Sequence, residues 1–402
     1  MTLSMSGTAT LHNGRMADPY ERLSTATSHL DTPFAVIDEV ALRENADDLV
    51  RRAGGTNIRV ATKSVRVRSI IQATLRRDGF AGVMSYSLPE SNWLADDGVD
   101  DILLAYPTVN TLGLKDLVAD ERRAKAITLM VDSIEALDFI DSVIGTEHFT
   151  VRLCIDVDAS LRMFGFHLGV RRSPLRRPNK VGKLAAAIAA RPGYKLVGVM
   201  FYDAQIAGLP DSSAGVRFVK SRSNKELRKR RGKVVAAVSK HAELEFVNGG
   251  GTGSLEVTGA DPTITELTAG SGLFSPTLFD GYDSFDSKPA AFFVLSVVRR
   301  PAKKIATLFS GGYIASGPAK QNRQPKPVWP AGLNAIDAEG AGEVQTPVQG
   351  KAAAQLSIGD RVFMRHAKAG EMCERFDSVH LVADNGSMTA LATYRGEGKN
   401  FG

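Results

Sequence analysis

The stretch Ile58-Arg59-Val60-Ala61-Thr62-Lys63 is a short apolar β run that ends in a lysine, and it decides how the rest of the chain is read. It follows a stretch read as helical, introduced by Phe34-Ala35-Val36-Ile37-Asp38. Working outward, similar runs recur at 59–63, 82–87, 101–106, 127–132, 150–158, 196–202, 244–248 and 266–269, separated by helical or polar spacers. This alternation predicts an α/β protein built on a parallel (β/α)8 barrel. Polar residues stand at or near the strand ends: Lys63, Ser85, Tyr106, Asp132, Asp156, Tyr202, Asn248 and Ser271. That end of a barrel is where an active site is built.

From Lys288 onward the character changes to long β-branched and aromatic runs at 291–298, 304–309, 361–364 and 379–382, which predict a C-terminal β domain. The expected division is an N-terminal segment 1–30, a barrel 31–285 and a β domain 286–402. A Pro- and Lys-rich stretch at 317–332 reads as a loop within the β domain.

The chain's 402 residues and 43% hydrophobic content suffice for two folded units. Its two cysteines, Cys154 and Cys373, are too few for a disulfide framework and suit a reducing compartment. Residues 1–22 are polar and no run approaches membrane-spanning length, so the expected location is cytoplasmic, with no membrane partner. The net charge of +6 is concentrated in 217–233. That run holds a single aromatic, Phe218 near its start, rather than aromatics interleaved with its cations, and leads into Val234-Val235-Ala236-Ala237-Val238, so it reads as the solvated start of a barrel helix, and no nucleic-acid partner is expected.

Two features carry chemistry. Lys63 places a primary amine at the tip of an early strand; the alternative is a solvated strand end. The loop Asn248-Gly249-Gly250-Gly251-Thr252-Gly253-Ser254 offers backbone N–H groups to a phosphate; the alternative is a tight turn. An amine and a phosphate nest in one barrel suggest pyridoxal phosphate.

With the segments Asp31-Thr32-Pro33-Phe34-Ala35-Val36-Ile37-Asp38, Ala61-Thr62-Lys63-Ser64, 98–107 and 249–254 in this order, the chain resembles the fold-type III pyridoxal phosphate enzymes. Within them it resembles the D-threonine aldolase and D-serine dehydratase branch, related to the alanine racemase barrel. The resemblance implies that Lys63 forms the cofactor aldimine and moves a proton at the substrate Cα. It further implies cofactor contacts by Arg162, Tyr202 and Asn248, and phosphate contacts by Gly250, Gly251, Thr252 and Gly253, closed by Ser271 and Gly272.

Two departures stand out. Gln205 occupies the place of a family histidine; glutamine is no base near neutral pH, though it can hydrogen-bond substrate. Arg365-His366-Ala367-Lys368 looks like the family's metal motif, but its second ligand would be Lys368, whose ammonium repels a cation. His366 with Glu371, Cys373 and Glu374 is an altered metal site at most, and a divalent metal stays open; another reading gives Lys368 the metal's charge. The implied function is a lyase acting on a small β-hydroxy amino acid of D configuration, by retro-aldol cleavage or by dehydration and deamination. The alternative is a racemase using Lys63 and Tyr313, and a non-catalytic cofactor carrier is a third. A homodimer is expected, with His366 and Lys368 reaching across.

Overall fold

The computed structural model describes residues 18–402 apart from 164, 319 and 369. Eight strands, Asn57–Ala61, Phe80–Ser85, Ile102–Leu104, Ile127–Val131, Val151–Asp156, Tyr194–Phe201, Phe246–Gly249 and Glu266–Ala269, pair in parallel in chain order. The barrel closes where Glu266–Ala269 pairs with Asn57–Ala61. Every run expected from the sequence is present; six of the eight end one or two residues early, because the polar tips turn into loops, and the strands 57–61, 80–85 and 194–201 begin two residues earlier than expected. Lys63 lies in the single 3-10 turn Thr62–Ser64 that follows the first strand.

The barrel interior is filled rather than hollow. Leu103, Met130, Cys154, Val197, Met200 and Phe246 form one buried cluster, and Arg59 lies among the strands with 2% of its side chain exposed. Its guanidinium is held by Glu266 at 2.8 Å and Asp101 at 2.8 Å. Such a charge is tolerable only because both partners neutralise it in place.

A second, nine-stranded sheet carries the remaining chain, with Ala291–Ala302, Ile305–Phe309, Arg361–Arg365 and Ser378–Val382 where β runs were expected. Its composition differs from the expected division in one respect. Phe34–Asp38 does not introduce a helical part of the barrel; it is a fully buried strand of this sheet, antiparallel to Ala291–Ala302 and parallel to Ser378–Val382. The sheet is thus not made from 286–402 alone, and the helix Pro19–Ala26 packs on it through Leu23. A five-residue apolar run is equally suited to either sheet, and only long-range pairing decides. Asp38 joins the two parts: its Oδ1 accepts from Arg22 Nη2 at 2.7 Å and from Val40 N at 2.9 Å, capping the helix Glu39–Ala53 that leads into the barrel.

The stretch 317–332 is not loop throughout, since Lys326–Trp329 pairs with Arg361–Arg365. The basic run lies in the helix Ala214–Val238. Most of its cations are solvated, as expected, but Arg231 is fully buried. No helix among the described residues is long and apolar enough to cross a membrane.

Candidate active site

A cavity of about 350 Å³ opens at the C-terminal ends of the barrel strands. Lys63 reaches into it and donates from Nζ to Tyr106 Oη at 2.6 Å. The turn carrying Lys63 is pinned by Arg66, whose Nε donates to Lys63 O at 3.1 Å while its Nη1 pairs with Glu374 at 2.6 Å. Arg172 lies between two phenol rings, 5.5 Å from the centroid of Tyr106 and 5.2 Å from that of Tyr202. Burial acts to raise the Tyr106 phenol, but Lys63 and Arg172 outweigh it and hold it below the ordinary tyrosine value. Tyr202 has the same two cations nearby, yet burial dominates and its phenol is raised.

The glycine loop lines the same cavity, at the end of the strand Phe246–Gly249, two strands from that of Lys63. Asn248, Gly250, Gly251, Thr252 and Ser271 line the cavity. Gly250 holds φ at 80°, in the left-handed region that favours glycine. Gly253 and Gly272, expected to face the phosphate, are set behind this surface. A Cβ on Gly253 would lie 2.4 Å from Ala207 O, so glycine is required there for close packing. Gly272 N donates to Thr252 Oγ1 at 3.1 Å and so fixes the threonine.

Beneath the loop is a buried ion network. Arg231 donates to Asp203 at 3.3 Å and to Asp261 at 3.2 Å, with all three side chains at most 1% exposed. Asp203 also accepts from Thr258 Oγ1 at 2.8 Å and from Ser254 Oγ at 3.2 Å, and Ser254 Oγ accepts from Gly251 N at 3.2 Å. Arg52 holds the other side, donating to Thr252 O at 2.6 Å.

Several expected site residues stand elsewhere. Arg162 is on the hairpin Leu161–Met163/Phe166–Leu168, is 56% exposed and pairs with Asp158 at 3.2 Å. Arg172, ten residues later on the return of that hairpin, supplies the guanidinium in the cavity. Gln205 is buried outside the lining, with Nε2 donating to Ala159 O at 2.8 Å. Tyr313 packs on Phe293 with ring centroids 4.7 Å apart, shares a 3.0 Å hydrogen bond with Ser310 Oγ and does not line this cavity.

The metal motif is likewise dispersed. His366 is buried with Nδ1 3.3 Å from Ala291 O, and burial with Arg365 pushes its imidazole down to about 3. Cys373 is buried and its thiol is pushed up to about 12. Glu374 is engaged by Arg66, and Glu371 accepts from Ser316 N at 3.0 Å. Among the described residues no three His, Cys, Asp or Glu side chains converge on a metal position. The motif's Lys368 does line the cavity, together with Arg323.

The residues present fit pyridoxal phosphate: one cavity of about 350 Å³ is lined by an amine, a tyrosine and a glycine-rich cradle with Thr252 and Ser271 hydroxyls. Tyr106, Arg172 and Arg323 were not anticipated as site residues. Tyr106 was visible as a polar strand end; the two arginines carry no local signal.

No family model matches the chain. It is 22% identical over 300 residues to the 3-hydroxy-D-aspartate aldolase of Paracoccus denitrificans, covering 71% of this chain and 73% of that protein. The D-threonine aldolase from Filomicrobium marinum superposes with a TM-score of 0.76 at 18% identity, covering 91% of this chain and 95% of that one. The D-threo-3-hydroxyaspartate dehydratase from Delftia sp. HT23 gives 0.69 at 19% identity, covering 90% and 97%. The chain has the fold of the fold-type III pyridoxal phosphate enzymes, a (β/α)8 barrel with a β domain, and D-threonine aldolase and D-threo-3-hydroxyaspartate dehydratase are among its structural neighbours.

Proposed function

We propose that this protein is a pyridoxal phosphate-dependent lyase that acts on a β-hydroxy amino acid of D configuration. The observation that carries the reading is the 2.6 Å contact of Lys63 Nζ with Tyr106 Oη inside a cavity that the glycine loop also lines. The named activities of the relatives and structural neighbours support the lyase class and the D configuration.

When bound, pyridoxal phosphate supplies the electron sink that makes a bond to Cα labile. Gly250, Gly251, Thr252 and Ser271 would hold its phosphate. Lys63 would be the amine that holds its aldehyde, and the same amine is placed to act as the base that carries a proton at the substrate Cα. Tyr106 holds Lys63 Nζ in place and, with its phenol below the ordinary value, can share that proton. Arg172, between the two rings, keeps positive charge beside the reacting centre. Retro-aldol cleavage and dehydration would call on the same protein groups and differ in which bond at Cα the site holds ready to break.

The test is direct. Wild-type protein supplied with pyridoxal phosphate is expected to turn yellow and to be trapped by borohydride on Lys63. Lys63→Ala is expected to lose the trapped adduct and at least about 1,000-fold in activity on D-β-hydroxy amino acids. A colourless wild type, or an adduct unchanged in the variant, would overturn the reading.

The reading extends to a cytoplasmic homodimer. The two free cysteines are buried, in keeping with a reducing compartment. Val109, Leu112 and Phe166, on segments that follow barrel strands at the same barrel end, are 76%, 74% and 69% exposed, an apolar rim suited to a second subunit. Sedimentation at low concentration would show it.

A further inference from the structure

Four cations, Lys63, Arg172, Arg323 and Lys368, line the cavity, and no Asp or Glu does. Among the described residues none of the four makes an ion pair within 4.0 Å. Elsewhere this chain pairs its buried arginines closely, as at Arg59 and Arg231. Charges left without counter-ions in a concave site await an anionic ligand.

The four are not equivalent in position. Lys63 and Arg172 stand with Tyr106 at the C-terminal end of the barrel, where a cofactor held by Lys63 would lie. Arg323 and Lys368 come from the second sheet's loops. Lys368 Nζ donates only weakly, to Ser316 Oγ at 3.3 Å and Ser316 O at 3.5 Å, and Arg323 Nε is buried with no hydrogen-bond partner. The carboxylate of Glu371, the acidic group acting on Lys368, is occupied by Ser316 N. The glycine loop with Thr252 and Ser271 offers a phosphate cradle that does not call on Arg323 or Lys368, which leaves these two charges for another anion.

We propose that Arg323 and Lys368 form an anion subsite that takes a carboxylate on the substrate side chain, at the place where the sequence motif would otherwise put a divalent metal. The inference rests on the lyase reading and narrows it to dicarboxylic β-hydroxy amino acids. A guanidinium and an ammonium can bind a carboxylate through charge-assisted hydrogen bonds, which a neutral side chain forgoes.

The test uses ligands that cannot be cleaved. The holoenzyme is titrated with D-aspartate and D-alanine, read by the cofactor's absorption, with and without a chelator. D-Aspartate is expected to bind at least about tenfold more tightly, from one to two charge-assisted hydrogen bonds. In Arg323→Gln/Lys368→Met the ratio of the two affinities is expected to fall to near one. In parallel, succinate is titrated by calorimetry, since it has two carboxylates and no amine; its binding is expected to weaken about tenfold in the double variant, whether or not the cofactor is loaded. Equal affinities in the wild type, succinate binding unchanged in the variant, or a preference abolished by the chelator would each overturn the subsite. Failure of the lyase reading shows separately, as absence of the Lys63 adduct.

Discussion

The two walls of the cavity handle charge in opposite ways. Behind the glycine loop, Arg231 is enclosed by Asp203 and Asp261, and hydroxyls of Thr258 and Ser254 satisfy the remaining lone pairs. On the facing side, Arg172, Arg323 and Lys368 reach into the cavity without a carboxylate in ion-pair contact. A buried charge whose partners are all internal contributes to shape, because losing one partner strands the others. A charge without internal partners contributes little to shape and is available to a ligand. The loop wall is therefore a built frame, and the facing wall is a set of binding groups carried on that frame and on the second sheet.

The sharpest way to break this contrast is to remove one cation from each wall. Arg231→Met leaves Asp203 and Asp261 buried without neutralisation and is expected to cost about 3–5 kcal/mol in a urea unfolding series. Lys368→Met removes no ion pair and is expected to change the same transition by less than about 0.5 kcal/mol. Similar losses in both variants would mean that the two walls are not different in kind.

A smaller effect separates frame from contact surface within the loop wall itself. In Gly253→Ala the new methyl would meet Ala207 O and Tyr282 Cε1, each 2.4 Å from the ideal Cβ position. Relieving this overlap costs about 1–3 kcal/mol, and since Thr252 is the neighbour, the loop is expected to move. Affinity for pyridoxal phosphate, measured by fluorescence titration, is expected to fall about tenfold, which is about 1.4 kcal/mol. Unchanged affinity would show that Gly253 packs the barrel without shaping the cradle.

The same division explains what the sequence discloses. Lys63 and the glycine loop are local signals: each is a strand end with a residue type that restricts the backbone or its chemistry, and both fall on the cavity. The eight barrel strands are legible because apolar runs alternate with helical spacers, a short-range pattern. Arg172 and Arg323 are not legible, because a long side chain reaches its site from wherever the backbone happens to return. Arg162 has the more suggestive neighbours, but the two-stranded hairpin turns it to solvent and brings Arg172 back instead. Arg231 is hidden for a related reason, lying in a run of cations of which most are solvated. Phe34–Asp38 is misleading because its partners are some 250 and 340 residues away, at Ala291–Ala302 and Ser378–Val382, a pairing that no local pattern encodes.

The smallest effect tests whether the facing wall carries any internal compensation at all. Asp156 ends its barrel strand beside Arg172, and burial, with Asp132 next in effect, raises its carboxyl from 3.8 to about 7, although Arg172 works against the rise. A carboxyl whose folded value is raised stabilises the fold while it stays protonated. Its contribution is complete below about pH 4 and is lost as pH climbs through about 7. Asp156→Asn keeps a neutral side chain of the same shape at every pH. Between pH 4 and pH 7, the difference in unfolding free energy between variant and wild type is therefore expected to grow in the variant's favour. The measurement is a set of urea midpoints across that range. A difference that stays flat would mean that Arg172 and Asp156 already act as an ion pair in the fold, and then this wall would contain the same kind of paired charge that frames the other.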